Sequence, residues 1–152
     1  VARLPWGVLI LFGGGLALAA QVSGSGLALW LGESLLPVAG LGTLVLVAAA
    51  AGLVVFLTEL TSNLATAATF LPVVAAIAAQ SGIEPLVLCV PITLAASCAF
   101  MLPVATPPNA IVFSSGNLTI PQMIRAGILM NLIAMITLTL LAVLLVPTVF
   151  SH

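Results

Sequence analysis

The sequence predicts an all-α, multi-pass membrane protein that contains a helical hairpin and one helix interrupted partway. Three observations carry that expectation. The chain is 63% hydrophobic and 3% charged, against about 25% charged residues in a soluble domain. Its apolar residues gather into helix-length runs separated by short links bearing Gly, Ser or Asn. One of those runs, 85–117, holds two consecutive prolines within the string Ala-Thr-Pro-Pro-Asn at 105–109.

The charged residues are Arg3, Glu33, Glu59, Glu84 and Arg125, with no lysine. So few charges cannot dress the surface of a soluble domain, and they form no basic patch for nucleic acid. Cys89 and Cys98 stand nine apart in apolar sequence. Metal and redox pairs usually sit two to four apart, so both read as small core residues. His152 is a terminal residue and no ligand. No Ser/His/Asp, Cys/His or metal-ligand set is present, so the chain is not expected to be an enzyme.

The opening Val-Ala-Arg-Leu-Pro-Trp leads at once into apolar sequence. It lacks the cleavage context of a signal peptide, and the chain reads as a fragment or the C-terminal half of a longer protein. The first apolar segment, 5–20, would be about 24 Å long as a helix. Gly13-Gly14-Gly15 within it has no Gly-Lys-Ser/Thr sequel and is no phosphate loop; small residues there would let a neighbouring helix approach. Ser23-Gly24-Ser25-Gly26 predicts a turn. Residues 27–36 are too short to span and end before Pro37; with Trp30 at headgroup level they predict an interfacial helix.

Residues 42–57 and 64–80 are two apolar arms of about 25 Å each, short for a hydrocarbon layer of about 30 Å. A re-entrant hairpin and a pair of tilted spans both fit. The broken segment runs from Pro85 to about Gly116. Asn117–Ile120 is a polar link, and Pro121 opens a final helix, 122–146, long enough to cross with tilt. Arg3 and Arg125 precede the first and last crossings and place both on the cytoplasmic side. The Asn117-Leu118-Thr119 sequon then falls on the inner face, where glycosylation does not occur.

Two elements are candidates for chemistry. In the broken segment, a helix-interior proline lacks an amide proton and clashes with the carbonyl four residues back. Pro107 and Pro108 would free the carbonyls of Pro103 and Val104. Loose carbonyls survive at membrane depth only where protein, water or an ion satisfies them, and Thr106 and Asn109 add polar groups beside them. The other element is the tip Thr58-Glu59-Leu60-Thr61-Ser62-Asn63. It reads either as a surface turn with Ser62 or Asn63 capping the next helix, or as a mid-membrane tip whose helix ends face a cation and an anion. Asn63 has both an acceptor and donors and serves either. A carboxylate at the bilayer centre costs about 2.5–3.5 kcal/mol on insertion scales, so Glu59 is assigned a supporting or interfacial role.

The strings Leu-Ile-Leu-Phe-Gly-Gly-Gly-Leu-Ala-Leu (9–18), Phe-Leu-Thr-Glu-Leu-Thr-Ser-Asn (56–63) and Ala-Ala-Ser-Cys-Ala-Phe-Met-Leu-Pro-Val-Ala-Thr-Pro-Pro-Asn-Ala-Ile-Val-Phe (95–113) give the chain a resemblance, over nearly its whole length, to the divalent-anion:sodium symporter family. These are the sodium-coupled dicarboxylate and sulfate carriers, and the likeness is to their C-terminal inverted repeat. The resemblance implies a scaffold part at 1–40, a transport-domain part at 41–118 and a final transmembrane helix at 119–152. Within the second part, 41–80 would be a re-entrant hairpin entering from outside with Ser62-Asn63 at its tip, and 85–117 a helix broken at the midplane.

The resemblance also implies one sodium ion held between those elements by carbonyls or side chains of Thr58, Thr61, Asn63 and Ala105. The anionic substrate would meet Ser62, Asn63, Thr106 and Pro107. A homodimer in the cell (inner) membrane, with a mobile transport domain, is implied for the full-length carrier. Two departures stand out. The family's tip signature Ser-Asn-Thr has Leu64 in its third place, and the first repeat, with its own sodium site, is absent. The expected function is therefore the C-terminal portion of a carrier that couples sodium entry to uptake of a dicarboxylate or sulfate. The alternatives are a non-transporting truncated subunit and a proton-coupled antiporter using Glu59.

Overall fold

The computed structural model describes residues 6–150, so Arg3, Pro5 and His152 lie outside it. Every regular element among the described residues is helical. Helix α1 is Trp6–Gly24 and α2 is Leu27–Glu33, followed by a 3₁₀ helix at Leu36–Leu41. Helices α3 (Thr43–Leu57) and α4 (Asn63–Gln80) are joined by the turn 58–62. Helices α5 (Pro85–Ala95) and α6 (Pro107–Ser114) are separated by the non-helical segment 96–106. Helix α7 (Ile120–Leu140) passes through a π-helical turn, Leu141–Leu145, into α8 (Val146–Phe150).

The core lies where α3, α4, α5 and α7 meet. Helix α3 is apolar on all sides, and Leu46, Val47, Ala50, Ala51, Val54 and Val55 are fully buried. Phe70 and Val74 of α4 and Leu88 and Ile92 of α5 pack into the same cluster. A helix apolar all round belongs in an interior or in a membrane, and here α3 is the central element. Two stretches among the described residues are long and apolar enough to cross a membrane, Asn63–Gln80 and Ile120–Val149.

Local chemistry explains the boundaries. Helix α4 ends where Gly82 takes φ +67°, a left-handed conformation that glycine adopts without penalty. The Ile83 amide then donates back to the Ala78 carbonyl at 2.9 Å. The capping arrangement closes α4 and returns the chain to α5. Helix α7 begins one residue before Pro121, and the Thr119 amide donates to Gln122 Oε1 at 2.9 Å.

The structure departs from the sequence expectations in several places. Ser23 and Gly24 belong to α1, so the expected four-residue turn narrows to Ser25-Gly26. The expected helix 27–36 stops at Glu33, and Pro37 opens the 3₁₀ helix instead of merely ending a segment. Among the described residues, nothing outside the backbone of α1 itself comes within 4 Å of a methyl group built on Gly13 or Gly14, so no described helix approaches closely there. The π-helical turn in the last helix had no counterpart in the sequence reading.

Candidate functional site

The turn between α3 and α4 starts where α3 tightens. The Leu57 carbonyl accepts from the amides of both Leu60 (3.0 Å) and Thr61 (3.1 Å). Ser62 is extended, at φ −76° and ψ 142°, and its Oγ accepts from the Ala65 amide at 3.1 Å. That is a helix N-cap, so the capping role foreseen for Ser62 is present. The turn is embedded on one side: Thr58, Glu59 and Thr61 are 0%, 3% and 5% exposed, whereas Leu60 is 41% exposed. The Thr61 hydroxyl donates to the Leu57 carbonyl at 3.0 Å and lies against the Thr66 hydroxyl, which donates to the Ser62 carbonyl at 3.0 Å.

The prolines interrupt nothing from within. Pro107 and Pro108 are the first residues of α6, where no intrahelical amide bond is required. The interruption lies just upstream, in 96–106, and the expected proline-freed carbonyls belong to that segment. Thr106 is extended and caps α6, its Oγ1 accepting from the Asn109 amide at 3.4 Å. Asn109 turns back on the segment: its Nδ2 donates to the carbonyls of Ala99 (2.9 Å) and Leu102 (3.1 Å). Asn109 thus holds backbone in place. Pro72 in α4 and Pro91 in α5 do sit inside helices, and Pro91 is buried.

Turn and segment are joined by two side chains. The Thr58 hydroxyl lies 2.7 Å from the Ala96 carbonyl oxygen and 3.0 Å from Asn63 Oδ1. Glu59 reaches further. Its Oε1 accepts from the amides of Phe100 (2.8 Å) and Met101 (2.9 Å), and its Oε2 accepts from those of Met101 (3.1 Å) and Leu102 (3.0 Å). Asn131 of α7 adds a fourth donor, Nδ2 to Oε1 at 2.8 Å. Three successive amides converging on one anionic group form a nest. Glu59 is therefore buried within the chain and hydrogen-bonded through both oxygens. Its supporting role is borne by backbone, where an isolated carboxylate would have to find a cation.

Helix α7 closes on the same segment. A methyl group built on Gly127 would lie 2.5 Å from Met101 Cα and from the Phe100 carbonyl oxygen. Only glycine permits that approach. Asn131, one turn on, is 1% exposed, and its Oδ1 has no hydrogen-bond partner among the described residues. A buried, unpaired acceptor costs about 1–3 kcal/mol.

Among the described residues, no donor reaches the carbonyls of Thr58, Thr61 or Ala105. The Thr58 and Thr61 hydroxyls are committed inside the chain, so these two residues offer main-chain oxygens. At the start of α4 the amides of Asn63 and Leu64 are likewise unpaired, whereas α6 begins with two prolines that have none. Pro107 thus offers shape and no hydrogen bond. Leu64 is 81% exposed beside Asn63. The contacts above run from the turn to 96–102. None runs directly from the turn to Ala105, Thr106 or Pro107, which are connected to it through the stapled segment.

Sequence reasoning missed Asn131 and Gly127. Their signal was a lone carboxamide and a lone glycine, one helical turn apart, in an apolar helix of membrane length. Polar groups in such helices seek partners on neighbouring helices, and small residues mark close approach.

The family model described as "Sodium:sulfate symporter transmembrane region" matches residues 2–151. The chain is 52% identical over 148 residues to the sodium-dependent dicarboxylate transporter SdcS of Staphylococcus saprophyticus, covering 97% of this chain and 28% of that protein. It is 51% identical over 149 residues to the transporter of the same name in Staphylococcus aureus (strain MRSA252), covering 98% of this chain and 29% of the relative. It therefore spans less than a third of the length of these curated relatives. A buried polar centre in a chain this apolar, matched from end to end by that model, places the protein in the membrane: it belongs to the sodium:sulfate symporter transmembrane family.

Proposed function

We propose that the chain is the C-terminal portion of a secondary active transporter that couples sodium entry to the uptake of a small divalent anion. The names of its relatives favour a dicarboxylate, and the family description keeps sulfate as the second choice. The observation that carries this reading is the joining of the turn before α4 to the non-helical segment before α6, whose backbone is held by Thr58, Glu59 and Asn109.

The unpaired groups divide by sign. The carbonyls of Thr58, Thr61 and Ala105 supply oxygens of the kind that a hard cation takes. The free amides of Asn63 and Leu64 and the positive end of α4 suit an anion. The Ser62 and Thr106 hydroxyls accept from their own helices and keep a proton to donate. Asn63 serves both. Thr58 has one hydroxyl proton, and the Ala96 carbonyl, the nearer acceptor, takes it. The Asn63 carboxamide then bonds Thr58 best with its nitrogen towards that hydroxyl. This half-turn of the amide frees Oδ1 to complete the sodium shell.

Sodium makes uptake favourable. Carrying two negative charges inward against about 100 mV costs about 4.6 kcal/mol, and three or more sodium ions per cycle reverse the sign of the electrical term. The reading includes a re-entrant hairpin at 41–80, multi-pass insertion in the cell membrane, a first repeat supplying the rest of the binding site, and a homodimer. A proton-coupled antiporter using Glu59 is the weaker reading, because four N–H donors already occupy that carboxylate.

The test is uptake of labelled succinate and sulfate into proteoliposomes bearing the intact gene product, with a sodium or a choline gradient. Succinate uptake that requires sodium is expected, and Asn63→Ala should raise the half-saturating sodium concentration. Uptake indifferent to sodium, or an Asn63→Ala protein with unchanged sodium dependence, would overturn the proposal.

A further inference from the structure

We propose that Asn131 is a positioning residue for the ion site, acting through Glu59 on the backbone of 100–102. The inference rests on the sodium-site reading given above. It begins from the geometry of a clamp with three jaws. Glu59, from the turn after α3, holds three successive amides of the segment that leads to Ala105 and Thr106. Asn131, from α7, holds one of the same carboxylate oxygens at 2.8 Å. Gly127 lets α7 rest directly on the backbone of Phe100 and Met101.

The clamp draws on three parts of the chain, the turn after α3, the segment 96–106 and α7, and the sodium ligands proposed above lie on the first two. Thr58 and Thr61 flank Glu59 in sequence, and Ala105 follows three residues after the last clamped amide. The separation between the two groups of carbonyls is thus set by how Glu59 sits. A carboxylate has freedom about its terminal torsion, and the Asn131 amide restricts it by fixing Oε1 from α7. An apolar side chain at 131 would fill the α7 interface without leaving an acceptor unpaired, as Asn131 Oδ1 is left. The carboxamide is thus accounted for by what it holds and not by what it adds to packing.

Two measurements on the intact gene product test the assignment. The first is amide hydrogen exchange at Phe100, Met101 and Leu102, which needs no transport. Asn131→Leu should speed exchange there by about tenfold or more, while the core amides of α3 stay protected. The second is sodium-dependent succinate uptake. Asn131→Leu should raise the half-saturating sodium concentration by about tenfold, with the half-saturating succinate concentration at saturating sodium within about twofold of wild type. Asn131→Gln, which keeps a donor at a shifted position, should fall between the two. It also serves if the leucine variant does not fold.

Faster exchange with unaltered sodium affinity would show that the clamp orders the segment without positioning the ion, and would overturn the proposal. Unaltered exchange in both variants would overturn it at its first step. A wild-type protein that takes up succinate without sodium would instead sink the reading of the site itself, whatever the exchange data show.

Discussion

The Thr58 hydroxyl lies 2.7 Å from the carbonyl oxygen of Ala96, although the two residues are 38 positions apart. Thr58 is 0% and Ala96 is 2% exposed. This one bond joins the end of α3 to the end of α5.

Replacing Thr58 by Val keeps the shape and removes the donor. The Ala96 carbonyl would then be buried without a partner, a loss of about 1–3 kcal/mol. Thr58→Val should therefore lower the thermal unfolding midpoint in detergent and weaken sodium binding, while Thr58→Ser, which retains the hydroxyl, should stay near wild type in both. Equal midpoints for the Val and Ser variants would show that the bond has no energetic weight.

Two glycines make a matched pair of tests. Gly127→Ala puts a methyl group 2.5 Å from the backbone of Phe100 and Met101, and backbone cannot swing aside. Overpacking of this kind costs about 1–3 kcal/mol. Gly13→Ala, in α1, meets nothing within 4 Å among the described residues beyond its own helix backbone and should be neutral or favourable by up to about 1 kcal/mol. Unfolding curves of the two variants measured side by side decide the matter; a Gly127→Ala protein as stable as wild type would contradict the close approach of α7.

Leu64 occupies an outward position in the first turn of α4, next to Asn63, and is 81% exposed. A side chain so free of neighbours carries little of the fold. Leu64→Thr should leave stability within about 0.5 kcal/mol and add a hydroxyl donor beside the proposed anion site. The expected result is a lower half-saturating succinate concentration in vesicle uptake. No gain for succinate would mean that the anion does not reach the start of α4.

Much of this arrangement was legible in the sequence because it follows local rules. Ser62 and Thr106 are residues that cap helices, and each does so. The short polar links and the apolar runs placed the helices to within a few residues. Pro107 and Pro108 were legible as a break but not as its position, since a proline that ends one helix and a proline that starts the next give the same signal. The partner of Glu59 was not legible at all. Asn131 is 72 positions away, and the other donors are main-chain amides, which carry no sequence signature. What the composition did show is that no lysine and only two arginines exist in the chain, so an intrachain partner for a buried carboxylate had to come largely from neutral donors.

That reliance on neutral donors makes Glu59→Gln an informative substitution. One carboxylate oxygen becomes an amino group, which then points at N–H donors that it cannot accept from. Whichever way the new amide turns, at least one of the Phe100, Met101, Leu102 and Asn131 donors loses its acceptor and faces another donor. The variant should lose about 1–3 kcal/mol of stability and the exchange protection of residues 100–102. The same variant separates the coupling ions. If Glu59 only holds backbone, succinate uptake by Glu59→Gln is weaker but still driven by sodium, and its dependence on external pH keeps the wild-type form. If Glu59 carries a proton across, that pH dependence disappears and no sodium requirement is found in either protein. The hydrogen bonds seen at Glu59 lead us to expect the first outcome, because a group that released its proton in each cycle would have to break and remake the contacts that hold the segment in place.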